Sequence, residues 1–156
     1  MRNMSFSLTT EQMRGRVKFV TRRLGWDDLK PGHRIQGCVK CMGLKPGESV
    51  DRICVIEICS TRKEVLKEIT QSECVLEGFP DYTPAQFVDM FCLHNKCTPE
   101  TTVNRIAFYY AEGDNFCPQC HSDTGLTFWR DGQISCEDCG FPDEDFGSED
   151  EVSHGG

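Results

Sequence analysis

The chain has 156 residues, 38% of them hydrophobic, and a formal net charge of −8, which suits one compact core with a small appended module. Charged residues interrupt the N-terminal region where a signal peptide would need an apolar core, and no run is long and apolar enough to span a bilayer. An odd number of cysteines, eleven, without an export signal favours the reducing cytoplasm over a secreted disulfide scaffold.

Charge is divided unevenly along the chain. Residues 1–110 carry 16 Lys and Arg against 13 Asp and Glu, a net of +3, whereas residues 111–156 carry one basic residue against 12 acidic ones. Residues 143–156 are typical of an acidic disordered tail. The alternatives are a tail that competes with a phosphate backbone for the basic face, or one that binds a protein partner. Non-specific binding to nucleic acid should be weak, because that affinity comes mostly from neutralised phosphates.

Hydrophobic periodicity and turn residues predict short strands and one helix in the first half of the chain. Thr9-Thr-Glu-Gln12 has the spacing of a capping box and predicts a helix to about Gly15. Residues 61–69 fit either a strand or the start of a helix. The strands are predicted at residues 4–8, 17–23, 33–40 and 51–59.

The second half of the main domain is predicted to contain two helices and a final strand. Residues 70–78 look helical, and Thr83-Pro-Ala-Gln86 is a second capping box with proline at the first helical position. Residues 102–110 alternate as a strand does. These elements indicate the α+β class with a small curled sheet or barrel. One face of the second helix is predicted to carry Phe87, Met90 and Phe91.

Two CxxC pairs form the most specific motif of the chain. Cys117-Pro-Gln-Cys120 and Cys136-Glu-Asp-Cys139 are separated by fifteen residues, the spacing of a zinc ribbon with four cysteine ligands. Asp131-Gly132 between them is a strong hairpin signal. The alternatives are a disulfide or free thiols. A structural Zn²⁺ held by four sulfurs leaves no open position for a substrate, so we expect any chemistry upstream of the ribbon.

Two other groups of residues have competing interpretations. Cys38-Val-Lys-Cys41 would form a second metal site with Cys92 and Cys97, but buried free cysteines also behave as small apolar residues, and we favour that interpretation. Phe128 and Trp129 of the ribbon hairpin would stack on nucleic-acid bases, cover the sulfur cluster or dock the ribbon on the main domain. Of these roles we favour docking.

Six segments follow one another within residues 5–110. They are Lys18-x-x-Thr21-Arg22-Arg23, Leu29-Lys-Pro-Gly32, Cys41-Met-Gly-Leu-Lys-Pro-Gly47, Glu77-Gly-Phe-Pro80, Thr83-Pro-Ala-Gln-Phe87 and Val103-Asn-Arg-Ile-Ala-Phe108. In this order they resemble the ASCH (activating-signal-cointegrator homology) domain. The resemblance implies a small PUA-like β-barrel over residues 1–111 with two or three short helices. The zinc ribbon, residues 112–142, and the acidic tail lie outside that domain.

The resemblance implies a cleft, near the first strand and helix, that handles RNA, a modified base or a nucleoside. In the same superfamily, a small bacterial amidohydrolase that deacetylates acetylated cytidine has a Lys, a Thr three residues later and a Glu just before a helix. The matching positions are Lys18 as base, Thr21 as nucleophile and Glu77 as the group that orients the lysine or shuttles protons. In a regular strand residues three apart face opposite sides, so Lys18 and Thr21 converge only if the chain bends.

Three functions therefore compete. The leading hypothesis is recognition of RNA, single-stranded nucleic acid or a modified nucleoside. In it one basic face carries Lys18, Arg22, Arg23 and Arg34, and Trp26 or Tyr82 is available for stacking on a base. The second is an amidohydrolase acting on acylated cytidine. The third is an adaptor that binds a protein partner through the ribbon and tail. Because the net charge of +3 on the first 110 residues is small, a small ligand or a single modified base is favoured over a long strand.

Overall fold

The computed structural model describes residues 1–142, which contain seven strands, three α-helices and one short 3-10 helix. The predicted acidic tail, residues 143–156, lies outside the described residues. No helix within residues 1–142 is long and apolar enough to cross a membrane. In chain order the elements are β1 (Asn3–Ser5), α1 (Thr10–Arg14), β2 (Val20–Arg23), β3 (Arg34–Cys38), β4 (Arg52–Val65), the 3-10 helix Leu66–Glu68, α2 (Gln71–Leu76), α3 (Pro84–Asn95), β5 (Thr102–Tyr110), β6 (Leu126–Phe128) and β7 (Ile134–Cys136).

The first five strands form one mixed sheet in the order β1-β3-β4-β5-β2. β1 runs parallel to β3, and all other neighbours are antiparallel. A register shift between Ile58 and Ser60 inserts an extra residue into β4, and bulges of this kind bend a strand. The two edge strands face each other, because Arg23 Nη2 of β2 donates to the carbonyl oxygen of Ser5 in β1, 2.6 Å away. The predicted α+β class with a small, barrel-like sheet is confirmed, and a seam lies between β1 and β2.

The two longest strands differ in how well the sequence predicts them. β5 occupies Thr102–Tyr110, as predicted. β4 is much longer than the predicted strand at 51–59, because it continues alongside β5 as far as the pair Val65 and Thr102. The undecided residues 61–69 are therefore mostly strand, followed by the 3-10 helix.

The two predicted capping boxes have different outcomes. At α3 the box is present, because Gln86 N donates to Thr83 Oγ1 at 3.1 Å and Thr83 N donates to Gln86 Oε1 at 2.9 Å. At α1 the side chain of Thr9 makes no capping hydrogen bond within residues 1–142, so that part of the prediction is wrong. Gln12 Nε2 instead donates to the carbonyl oxygen of Gly78, 2.9 Å away. A tertiary partner replaces the local cap and fixes α1 against the residue that follows Glu77.

The ribbon packs on the barrel and shares its hydrophobic core. Phe128 of β6 lies with its ring centre 5.5 Å from the ring of Phe19 and 5.5 Å from that of Tyr109, so the predicted docking is confirmed for this residue. For Trp129 the docking prediction is wrong. Its side chain is 51% exposed, and its Nε1 donates to Ser135 Oγ of the ribbon itself.

Candidate functional site

A cavity of about 490 Å³ lies at the seam between β1 and β2. Its size falls within the range of about 300–1,000 Å³ that is usual for small-molecule sites. Six of the predicted site residues line it, namely Lys18, Thr21, Arg22, Arg23, Trp26 and Glu77. The rest of the wall comes from β1, the loop after β3 and α3. These segments are distant in sequence and meet only in the fold, so no local motif assigns them to a ligand site. These other lining residues include Phe6, Lys40, Met42, Phe79, Met90 and His94.

Lys18 and Glu77 form a buried ion pair in the cavity wall. Lys18 Nζ donates to Glu77 Oε1 at 2.9 Å and to the carbonyl oxygen of Glu77 at 2.6 Å, and the two side chains are 2% and 4% exposed. Glu77 caps the C-terminus of α2, so the ammonium also satisfies a free carbonyl at a helix end, where a cation is favourable. Tyr110 holds the backbone of Lys18 in place by donating from its hydroxyl to the Lys18 carbonyl at 2.6 Å.

Lys18 and Thr21 face the same cavity although they are three residues apart. β2 begins only at Val20, three residues later than predicted, so Lys18 is not part of the regular strand. The backbone N–H of Phe19 turns away from the sheet and donates to the last residue of α2 at 2.9 Å. Arg16 has a φ of 60°, in the left-handed region. The bend that convergence requires therefore lies ahead of the strand.

Burial lowers the pKa of Lys18 below the ordinary lysine value, because a buried ammonium loses its hydration. The carboxylate of Glu77 acts in the opposite direction, and the nearby guanidinium groups of Arg23 and Arg22 add to the lowering. A lysine whose pKa is lowered can release its proton more easily near neutral pH, as a general base must. The direction of the shift is therefore compatible with the predicted role of Lys18 as a base.

Arg22 forms ion pairs with three glutamates. Its guanidinium side chain is 1% exposed and pairs with Glu77 Oε2 at 3.1 Å, Glu73 Oε1 at 2.8 Å and Glu64. It therefore orients the Glu77 carboxylate from the side opposite Lys18. The sequence placed Arg22 on a basic ligand-binding face, but its charge is already matched by these carboxylates.

Arg105 extends this network away from the cavity and was missed by the sequence reasoning. Its side chain, 1% exposed, donates twice to Glu73, through Nε and Nη2 at 2.8 Å each. Its Nη1 donates to the carbonyl oxygen of Gly132 in the ribbon turn at 2.9 Å. A continuous series of hydrogen bonds thus runs from the ribbon turn through Glu73 and Arg22 to Glu77. Its members are distant in sequence, so no local motif indicates them.

Arg23, unlike Arg22, has only neutral partners. Its Nε donates to Thr21 Oγ1 at 3.0 Å and its Nη2 to the Ser5 carbonyl, while the guanidinium lies 4.9 Å from the ring centre of Phe6. Burial lowers its pKa to about 10, and the raising effects of Glu77 and Cys41 do not offset that. Arg23 therefore remains protonated at neutral pH as a cation in the cavity wall.

The remaining two predicted ligand residues lie in different places. Trp26 is half-buried at the cavity and packs against the core, and Arg2 covers its ring at 4.3 Å. Arg34 is exposed on β3, pairs with Glu57 at 3.2 Å and is not among the residues that line the cavity. The four basic residues predicted to share one face therefore do not all meet, because Arg34 is on a different part of the sheet.

Four cysteine sulfurs converge in the ribbon. The Sγ atoms of Cys117, Cys120, Cys136 and Cys139 all lie within 4.8 Å of one another. Cys117 is 3.7 Å from Cys139, and Cys120 is 3.7 Å from Cys136. Tetrahedral zinc with Zn–S bonds of about 2.3 Å requires sulfurs about 3.8 Å apart, so the donor set fits a structural Zn²⁺. The backbone N–H groups of Gln119 and Cys120 point at Cys117 Sγ, at 3.4 and 3.5 Å, and would favour a thiolate there.

The alternative second metal site is not assembled in the part of the chain that the structure describes. The ribbon cysteines form the one group of three or more potential ligands found among residues 1–142. Cys38 is buried within the sheet. Cys92 and Cys97 lie with their Sγ atoms 4.0 Å apart and pack against a hydrophobic cluster that includes Phe87 and Phe91. These thiols act as small apolar or weakly polar packing groups.

Comparison with known proteins identifies the fold. No family model matches the chain, and no curated protein matches its sequence. The crystal structure of an ASCH domain from Lactobacillus crispatus is similar, with a TM-score of 0.50 and 15% identity over 70% of this chain and 78% of that chain. A structure from Enterococcus faecalis assigned to family model DUF984 has a TM-score of 0.51 and 12% identity over 70% of this chain and 79% of that chain. The chain thus has the fold of an ASCH domain, followed by a four-cysteine ribbon.

Proposed function

We propose that the seam cavity recognises a single nucleobase with its sugar, either as a nucleoside or as one residue of an RNA. The observation that carries this proposal is one concave cavity of about 490 Å³ with aromatic side chains and hydrogen-bonding groups in the same wall. A base needs a flat apolar surface on which to stack and polar groups at its edge. Phe79 and Trp26 offer the first, Trp26 once the exposed side chain of Arg2 leaves its ring. Thr21 and Arg23 offer the second.

The charges at the site favour one base over a long strand. Lys18 and Arg22 are neutralised by Glu77 and its neighbours, so they do not form a row of phosphate contacts. Arg34 lies outside the cavity. Affinity for a strand would need several such contacts, because each neutralised phosphate contributes through counterion release. Affinity for a single base depends instead on the shape and polarity of the pocket.

A fluorescence titration tests this proposal, because the chain has only two tryptophans. Replacing Trp129→Phe on the exposed face of the ribbon leaves Trp26 as the single indole, and its emission then reports the occupancy of the cavity. We expect ribonucleosides, including acetylated cytidine, to quench this emission saturably. The matched variant Trp26→Phe, which keeps Trp129, should show no saturable response. Equal responses in the two variants would contradict a base-binding cavity.

A second candidate is amide hydrolysis of an acylated cytidine, favoured by the presence of Lys18, Thr21 and Glu77 in one cavity wall. Thr21 Oγ1 would add to the acyl carbonyl while neutral Lys18 accepts the hydroxyl proton. Collapse of the adduct breaks the C–N bond, the lysine returns the proton to the leaving cytosine amine, and an acyl-threonine ester remains. Water then hydrolyses the ester, which releases the carboxylic acid and regenerates the threonine hydroxyl.

Chromatography of acetylated cytidine incubated with the purified full chain distinguishes binding from hydrolysis. If the chain is the hydrolase, cytidine appears, and Thr21→Val and Lys18→Met each abolish its formation. If cytidine does not appear while acetylated cytidine still quenches Trp26, the cavity binds the base without hydrolysing it. Arg34→Gln is the control, because that exposed residue lies outside the cavity and its loss should change neither result.

A further inference from the structure

The buried charges in and behind the cavity wall are matched one for one, but two other cations at the cavity have no carboxylate beside them. No carboxylate in the described part of the chain lies within 4.0 Å of Arg23 or Lys40. The matched groups are three cations and three carboxylates, namely Lys18, Arg22 and Arg105 with Glu64, Glu73 and Glu77.

Of these two cations, Arg23 gives the stronger indication of an anion site. It extends across the seam from β2 to the Ser5 carbonyl, and its partners are that carbonyl, one hydroxyl and the face of Phe6. A half-buried guanidinium with no carboxylate beside it has lost part of its hydration without an ionic partner in return. The lowered pKa of Arg23 has the same physical cause. An anion in the cavity would supply the missing partner.

Lys40 lies on the same wall as Arg23. Ser5, which accepts from Arg23, donates from its own hydroxyl to the carbonyl oxygen of Val39 at 3.1 Å, and Lys40 is the next residue. Lys40 lines the cavity, is exposed and has no carboxylate within 4.0 Å among residues 1–142. Both cations thus line one cavity, on chain segments that Ser5 joins: β2 through Arg23, and the residues after β3 through Val39.

We propose that Arg23 and Lys40 form a phosphate subsite at one end of the cavity, so that the ligand is a phosphorylated nucleoside rather than a neutral one. This inference rests on the proposed base recognition and extends it. One carboxylate would be matched by Arg23 alone, whereas a phosphate monoester carries a charge of about −1.5 to −2 at neutral pH and matches both cations. Arginine is suited to phosphate because its donors form a planar fork, and lysine contributes a point charge.

The test compares each common ribonucleoside with its 5′-monophosphate in the full chain carrying Trp129→Phe, with Trp26 emission as the readout. We expect the monophosphate to bind about tenfold or more tightly than the matching nucleoside, which corresponds to about 1.4 kcal/mol. Added salt should weaken the binding of the monophosphate and leave that of the nucleoside nearly unchanged. A dinucleoside monophosphate such as cytidylyl-uridine identifies the source of the phosphate. If it binds more tightly than the monophosphate, the phosphate belongs to an RNA strand.

Two variants assign the effect to the proposed residues. Arg23→Gln should remove most of the advantage of the monophosphate over the nucleoside. Because Arg23 also bridges β1 and β2, its loss can disturb the fold, so Lys40→Gln at an exposed position gives an independent test and should reduce the same advantage. Arg34→Gln removes one positive charge from a residue outside the cavity and should leave the advantage intact.

The outcomes separate the two proposals. Equal affinities for nucleoside and monophosphate, unchanged by Lys40→Gln, would overturn the phosphate subsite and leave base recognition standing. An advantage that Arg34→Gln reduces as much as Lys40→Gln does would also overturn it, because the effect would then come from overall charge. Failure of every nucleoside and nucleotide to bind would overturn base recognition and the subsite together.

Discussion

Arg105 of β5 and Gly132 of the ribbon turn are joined by a hydrogen bond of 2.9 Å between Arg105 Nη1 and the Gly132 carbonyl oxygen. The same guanidinium holds Glu73 through its other two nitrogens. The backbone of the ribbon therefore supplies one of the acceptors that fix the charged network behind the cavity.

Gly132→Ala should destabilise the protein and disturb this network. Gly132 has a φ of 95°, and a Cβ there would lie 3.0 Å from both Arg105 Nη1 and Ser60 Oγ. The backbone strain alone costs about 1–2 kcal/mol of the free energy of unfolding, and the crowding adds to it. Urea denaturation measures the loss. Gln133→Ala, next in sequence and exposed, is the control and should change stability by less than about 0.5 kcal/mol.

Loss of the Glu77 carboxylate should cost more stability than loss of the Lys18 ammonium. Glu77→Gln leaves Lys18 and Arg22 facing a neutral amide in a buried place, and breaking a buried ion pair in this way costs about 3–5 kcal/mol. Lys18→Met removes one cation but leaves Glu77 paired with Arg22 at 3.1 Å. The free energies of unfolding, measured by urea denaturation, should therefore fall in the order wild type, Lys18→Met, Glu77→Gln. The reverse order would show that Glu77 depends on Lys18 rather than on Arg22.

The ion pairs of Glu73 should make the protein sensitive to acid. Burial raises the pKa of this carboxyl, but the hydrogen bonds and charges of Arg105 and Arg22 outweigh burial and lower it to about 2, from an ordinary value of 4.5. Because the folded pKa is the lower one, this stabilisation is fully present above about pH 4.5 and is lost as the pH falls toward 2. The difference corresponds to about 3 kcal/mol.

Urea denaturation at a series of pH values measures this contribution. Glu73→Gln should flatten the fall in stability between pH 4.5 and 2, and the exposed Glu68→Gln should leave it as in the wild type. A wild-type curve that stays level across this interval would contradict strong pairing of Glu73 in the native state.

The four-cysteine site should bind one Zn²⁺ per chain. Elemental analysis of the purified protein measures the stoichiometry, and Co²⁺ substitution should give the absorption of tetrahedral thiolate coordination. Cys139→Ser should abolish stoichiometric binding because it removes one of the four sulfurs. Cys59→Ser, outside the ribbon on β4, should retain a full equivalent of metal. Retention of metal by Cys139→Ser would argue against a site formed by these four sulfurs.

How far the sequence predicts this protein depends on how local each signal is. β5 and the capped start of α3 are predicted correctly, because strand alternation and the pair of Thr83 and Gln86 are encoded within a few residues. The cap at α1 is wrong because Gln12 finds a partner at Gly78, which is distant in sequence. No sequence pattern near either residue predicts that contact.

The candidate site shows the same limit. Lys18, Thr21 and Glu77 were assigned through a resemblance, and the fold brings them to one cavity, although their roles remain predictions. The network of Arg105 with Glu73 was missed, because two ordinary residues become a buried ion pair only when β5 and α2 pack together. Arg34 was grouped with Arg22 and Arg23 by proximity in sequence, but β3 carries it to another part of the sheet.

The packing of Phe128 on Phe19 has a mechanical consequence. Phe19 directly follows Lys18, so the ribbon packs on the chain segment that forms part of the cavity wall. A module on a free linker would sample many positions, whereas this ribbon is held against the barrel by aromatic contacts and by the hydrogen bond from Arg105. The position of the exposed Trp129 ring relative to the cavity is therefore set by the fold rather than by a linker. Under the proposed base recognition, any contact of that ring with the same RNA would therefore be confined to one separation along the strand from the bound base.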